Sequence, residues 1–330
     1  MTPSAWSQTA IAKYEAEQVT PNSTMLLALA RACDVQVEFF LRPESRTLEA
    51  PEYRKRSRLG KKALQRITAD VVDQAERYLE LLALYPRAPI PPFQRPEGLG
   101  TAATYDEVEQ VATDLRDAWR LGQDPLPDLT ATLEEHGLLV LTTPVDDRGR
   151  FDGLAATVDG VPLIVVGADW PGDRQRFTLA HELGHLVLGG RLAAALDEER
   201  ACNRFAGAFL VPEAAARAEL GERRSRLEPA ELHALKQAYG LSMCGWVYRA
   251  KDLDIVSEAA ATRLFVEFTK RGWRTTEPGD PVPPERPGLF ARLVIRAVGE
   301  DLIGEAKGAE LLAESLDAFR ARRRMRAAHQ

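Results

Sequence analysis

The sequence predicts an α+β chain that is mainly helical and divided into more than one domain. Three observations carry that prediction. Apolar residues recur at three-and-four spacing over most of the chain, the signature of amphipathic helices. Three short β-rich runs, "LLVLTT", "GLAATV" and "VPLIVVG", cluster between residues 138 and 167. Proline-rich stretches at 86–98 and 277–288 interrupt the helical pattern. A chain of 330 residues has room for two or three hydrophobic cores.

Residues 7 to 41 read as short helices. In "SQTAIAKYE", Ser7 is the expected N-cap, with Ile11 and Tyr14 on one face. A Thr-Pro-Asn turn leads to a second helix with Met25, Leu26, Leu29 and Ala30 as its apolar stripe, and Pro43 stops the unit. A basic run, Arg54 to Lys62, precedes a long amphipathic pattern at Leu64, Ile67, Val71, Ala75, Tyr78 and Leu82. That stripe packs on a neighbouring element, with a homodimer seam as the other reading. "PRAPIPPFQRPEG" is the expected linker. The predicted domains are therefore 1–45, 46–103, 104–215 and 216–330.

The third unit opens with two helices, "YDEVEQVATDLRDAW" and "LPDLTATLEEHG", followed by the three strands. Asp152-Gly153 and Asp159-Gly160 are the expected turns before and after the second strand. Two further helices follow, "FTLAHELGHLVL" ending at Gly189-Gly190 and "EERACNRFAGAFL" ending at Pro212. Beyond residue 216 the chain is expected to be mostly helical. Its segment "LKQAYGLSMCGWVYRAKDLDIVS" has the outline of a helix-turn-helix, although packing explains Leu235, Tyr239, Leu241, Trp246 and Val247 as well.

Composition excludes several classes. No apolar run reaches the length of a membrane span, and no basic-then-apolar leader opens the chain. Cys33, Cys202 and Cys244 show no paired spacing, which with the missing leader points to the cytoplasm. The net charge of -6 confines any nucleic-acid contact to a local basic patch.

The chemistry is concentrated in "RFTLAHELGHLVLGG". His181 and His185 lie four residues apart, about one helical turn, so both imidazoles reach one ion. Glu182 sits beside the first of them, placed to take a proton from a water that a metal acidifies and to pass it to a leaving amine. Leu179, Leu183, Leu186 and Val187 form a separate stripe that anchors the helix. A catalytic zinc needs a third protein ligand. Asp197, Glu198 and Glu199 are all candidates, and spacing does not choose among them. The stripe of Phe205, Ala208 and Phe209 leans toward Glu199 as the residue facing outward.

"RFTLAHELGHLVLGG" followed by "EERACNRFAGAFLVP" resembles the ImmA/IrrE-type metallopeptidases, with the lead-in helix and strands agreeing over residues 104–215. The resemblance implies a zincin-like peptidase domain, Zn2+ as cofactor and Glu199 as third ligand, four residues before Asn203. It further implies a protein substrate, a helix-turn-helix repressor whose cleavage releases stress or mobile-element genes. Asn203 and Arg176 are candidates for orienting the site. Residues 7–43 are similar to the later part of an Xre/Cro-type DNA-binding domain, with Gln8, Thr9 and Lys13 as its outward polar residues. The competing function is a DNA-binding regulator that uses the peptidase fold to sense a ligand or metal, or a toxin–antitoxin component. His136 is expected to cap a helix end, His233 to be structural, and Cys202 to pack.

Overall fold

Three strands form one sheet: β1 (Leu139–Thr143), β2 (Gly153–Val158) and β3 (Val161–Gly167), in the order β1-β3-β2. The computed structural model describes residues 8–16, 18–33, 37, 40, 48–49, 61–144 and 151–325. β3 is central, parallel to β1 and antiparallel to β2. The β2–β3 hairpin closes on Asp159 and Gly160, both at positive φ (49° and 78°), as a two-residue turn of matching twist requires. Asp152-Gly153, expected as a turn, instead leads straight into β2. A Cβ at Gly153 would sit 2.4 Å from Thr178 Cγ2 and 2.8 Å from the Val165 carbonyl, so glycine serves close approach of the neighbouring helix.

Alternation sends β-strand side chains to opposite faces, and both faces are buried. Val140, Ile164 and Val166 face one core, shared with α4 (Tyr105–Ala118), α5 (Leu129–Glu135), α6 (Gly172–Leu188) and α7 (Glu198–Leu210). Leu139, Leu141, Leu154, Ala156, Leu163 and Val165 face a second core under α3 (Lys61–Leu84). There Ile67, Val71, Ala75 and Tyr78 of the predicted stripe are buried, with Leu64 and Leu82 half-buried. The stripe is thus covered within the chain.

Between α3 and α4 the proline-rich stretch 86–98 lies against the fold: a Cβ at Gly137 would meet the Pro91 carbonyl, and Arg95 Nη1 donates to the Gly189 carbonyl at 2.8 Å. Ahead of α3, α1 (Gln8–Glu15) and α2 (Ser23–Cys33) are the two expected short helices, the second capped by Asn22, whose Oδ1 accepts from Met25 N at 2.9 Å. Ser7, the expected cap of α1, lies outside the described residues, as does the basic run Arg54–Lys62 apart from the main chain of Lys61 and Lys62.

After α7 come α8 (Glu213–Leu220), α9 (Pro229–Tyr239), α10 (Met243–Asp252) and α11 (Glu258–Lys270), all contributing to the first core. The last helices, α12 (Leu289–Gly299), α13 (Glu305–Leu311) and α14 (Leu316–Arg323), close the second. Leu235, Tyr239, Leu241, Trp246 and Val247 of the α9–α10 segment are buried. The first amides of α10 are taken by Glu277, which accepts from Met243 N and Cys244 N at 3.0 Å. Packing accounts for this segment.

The stretch 277–288 is a strap across the starts of three helices. Beyond its bonds to α10, Glu277 pairs with Lys236 at 2.9 Å, Val282 O accepts from Gly172 N at 2.8 Å, and Glu285 accepts from Thr130 N at 2.7 Å. On the tail, Arg320 and Arg323 pair with Glu305, and Arg322 with Glu314. No helix of the described residues is long and apolar enough to cross a membrane.

The joint between α5 and α12 carries a pH dependence. Glu134 is buried and accepts from Leu289 N at 3.1 Å, and burial pushes its carboxyl up to about 7. A carboxyl raised on folding contributes stability that is full below its unfolded value and is lost as pH rises through the folded one. Wild-type protein should therefore lose up to about 3 kcal/mol between pH 5 and pH 8. Glu134→Gln, which keeps an acceptor for Leu289 N, should show a flatter profile in thermal melts at the two pH values. Equal slopes in both proteins would refute this assignment.

Candidate metal centre

Helix α6 delivers the motif. Leu179, Leu183 and Val187 bury one side of it, and four-residue spacing turns His181 and His185 together toward the start of α7. Gly184 lets the two helices close: a Cβ there would lie 3.2 Å from Phe205 Cδ1 and 3.3 Å from Cys202 Cα. The two imidazoles approach with Nε2 atoms 3.1 Å apart.

The three candidate acids take three different jobs. Asp197 caps α7, its Oδ1 accepting from Arg200 N at 2.7 Å. Glu198 turns to the back of one ring and accepts from His185 Nδ1 at 3.0 Å. Glu199 faces the two Nε2 atoms, with its oxygens 3.5 Å from His181 and 3.4 Å from His185. One turn further on, Asn203 Oδ1 accepts from His181 Nδ1 at 3.0 Å.

That arrangement converges acceptors on one point. Each Nδ1 donates outward, to Asn203 or Glu198, so a neutral ring presents its Nε2 lone pair inward. Two lone pairs and a carboxylate then face one another, and a cation is the partner that satisfies all three. The separations of 3.1, 3.4 and 3.5 Å suit ligands about 2.0–2.1 Å from a tetrahedral zinc, which stand about 3.3 Å apart. Among the described residues, His181, His185 and Glu199 form the group whose ligand atoms all lie within 4.8 Å of one another. The residues fit a zinc ion.

The field at the site has the same sign. Burial pulls the His181 imidazole down, but its bond to Glu199, the charge of Glu182 and the bond to Asn203 outweigh burial and hold it above its ordinary range. Glu182 is held above the usual carboxylate range, by burial first and by Glu199, against the two histidines and the Ala155 N–H that donates to it. A carboxylate so placed is a stronger base than a solvated one.

Residues 133–251 match the IrrE N-terminal-like domain, Peptidase_M78. The matched segment runs from the end of α5 through the sheet, α6 and α7 to α10, and so holds every residue of the His-His-Glu group. It starts later and ends later than the stretch 104–215 that resembles this family in sequence. No curated protein matches the chain.

Within the matched segment, the structure brings together His181, His185, Glu182, Glu199 and Asn203. It sends Arg176 elsewhere. Five residues before His181, Arg176 points off the far side of α6, where it pairs with Glu285 and donates to the Leu126 carbonyl. Its contact is the strap, not the site. Cys202 is buried with Sγ 3.4 Å from His185 Nδ1, packed against the ring. His136 closes α5, bonds the Thr132 carbonyl at 2.8 Å and stacks on Trp119, and His233 packs on Gly279 of the strap. Of the residues proposed for DNA contact, Lys13 is exposed on α1, while the side chains of Gln8 and Thr9 lie outside the described residues. Sequence reasoning missed the role of Glu198, weighed only as a ligand. Replacing Glu198 or Asn203 with alanine should weaken zinc binding by about 10- to 100-fold. Chelator competition measures this, and affinities equal to wild type would show that the two bonds do not support the ligands.

Proposed function

We propose that this protein is a zinc-dependent endopeptidase. The observation that carries the reading is the convergence of both Nε2 atoms and the Glu199 carboxylate, with each Nδ1 held from behind. The matched family is a peptidase family and is typically metal-dependent, which supports it. His181, His185 and Glu199 would hold the ion. A zinc ion held there would supply Lewis-acid chemistry toward a water and a peptide carbonyl. Glu182 takes the proton from the attacking water and delivers it to the departing amine nitrogen. Asn203 and Glu198 fix the tautomer and plane of the two rings. The start of β2, pressed against α6 at Gly153, brings the Ala155 N–H to Glu182 and orients its carboxylate.

The finer reading names the substrate as a helix-turn-helix repressor, with cleavage relieving repression of stress or mobile-element genes. It rests on the sequence likeness to ImmA/IrrE-type and Xre/Cro-type proteins. The test is zinc content by mass spectrometry of metals, with cleavage of β-casein and of purified helix-turn-helix repressors assayed in parallel. One zinc per chain with repressor cleavage supports the full reading. Cleavage of casein alone removes the repressor, and zinc binding with no cleavage of either removes the peptidase.

A further inference from the structure

The sheet ends at β2, and its outer edge passes beside the metal centre. Successive residues of a strand direct their main-chain groups to alternate sides, so Gly153, Ala155 and Thr157 face away from β3. The Ala155 amide is held by Glu182. At Thr157 both main-chain groups are already taken. Glu49 N donates to Thr157 O at 2.9 Å, and Thr157 N donates to Glu49 O at 2.9 Å. A residue pair that exchanges both bonds is one rung of an antiparallel ladder.

The place of this rung matters. Thr157 lies two residues from Ala155, about 7 Å along the edge. Extended peptides commonly bind by adding a strand to an open sheet edge, with main-chain bonds supplying affinity. A peptide laid on β2 with a carbonyl at the metal centre runs onto Thr157 within one repeat of the strand. Leu48, half-buried against the core under α3, anchors the rung from one side. Among the described residues, the Glu49–Thr157 rung is the main-chain contact that this segment makes with the outer edge of β2.

We infer that Glu49, paired to Thr157 on the outer edge of β2, occupies one end of the strand position that an extended peptide takes beside the metal centre, so that the chain's own segment competes with such a peptide. The inference rests on the peptidase reading for the peptide's purpose, but its test is binding and not turnover. The probe is a fluorescein-labelled peptide with the sequence of residues 45–53, its binding followed by anisotropy in zinc-loaded protein carrying Glu182→Gln. Adding Glu49→Pro removes the donor to Thr157 O and should tighten probe binding at least fivefold. A second variant, Glu49→Cys with Thr157→Cys, should exclude the probe when oxidised and admit it after reduction.

Hydrogen exchange supplies the control: the Thr157 amide should be protected in the parent and exposed in Glu49→Pro. Equal probe affinity with and without Glu49→Pro, no binding by either, or a Thr157 amide that exchanges equally fast in both would overturn the inference. Absence of proteolysis by zinc-loaded wild type would overturn the peptidase reading and leave these binding results standing.

Discussion

Glu182→Gln should lower peptide hydrolysis by about a hundred- to ten-thousand-fold while zinc content stays at the wild-type level. The two outcomes separate because Glu182 touches the reacting water and leaving group in the proposed chemistry but is not among the three converging ligands. Glutamine keeps the side-chain shape and an acceptor for the Ala155 N–H, so the edge of β2 remains in place. What it loses is the proton carrier. Rates should be compared at saturating and at low substrate, because loss of a base lowers kcat with little change in KM. Hydrolysis within a few-fold of wild type would remove Glu182 from the mechanism. Parallel loss of zinc would instead place it in the metal's support.

The second large effect is on stability. Glu109 of α4 is buried between two arginines: Arg249 of α10 at 2.5 Å and Arg204 of α7 at 2.7 Å. Arg249 is 2 % exposed and also donates to the Val211 carbonyl at 2.7 Å. Glu109→Gln leaves a buried guanidinium without a counter-charge, which should cost about 3–5 kcal/mol in denaturant unfolding. The double variant Glu109→Leu with Arg249→Met removes the Glu109–Arg249 pair while Arg204 keeps Asp106 at 3.3 Å and Asp252 at 3.4 Å, and it should recover most of that loss, since replacing a buried pair by apolar groups is often neutral.

Burial raises the Glu109 carboxyl, but Arg249 and Arg204 outweigh burial and hold it below the usual range. Its contribution is therefore present above the unfolded carboxylate value and is lost as pH falls through the folded one. Arg204 directly follows Asn203, so Glu109→Gln should also loosen zinc retention. A single variant as stable as wild type would show that the network carries no net stability.

Legibility in the sequence followed the range of the interaction. The three strands, the Asp159-Gly160 turn and the α3 stripe depend on residues within a few positions of one another, and periodicity revealed them. The partner of the α3 stripe was not visible, because the back of the sheet and α12 lie far along the chain. The strap 277–288 appeared only as a proline-rich interruption. Its Glu277 and Glu285 become informative once the starts of α5 and α10, and Arg176, are seen beside them. Gly153 read as half of a turn signal, whereas its function is to admit Thr178 against the strand.

Spacing alone places His181 and His185 on one helix face with Glu182 between them in sequence, because helical geometry converts a four-residue spacing into a position in space. It also confined the third ligand to Asp197, Glu198 or Glu199. The apolar stripe leaned toward Glu199 and the family resemblance implied it, but the separate positions of the three acids come from tertiary packing, because they depend on how α7 is rotated against α6. That rotation is set by Gly184 seated on Cys202 and Phe205, and by Arg204 and Arg249 drawn to Glu109. It turns Asp197 to the helix cap, Glu198 behind His185, and Glu199 toward both Nε2 atoms.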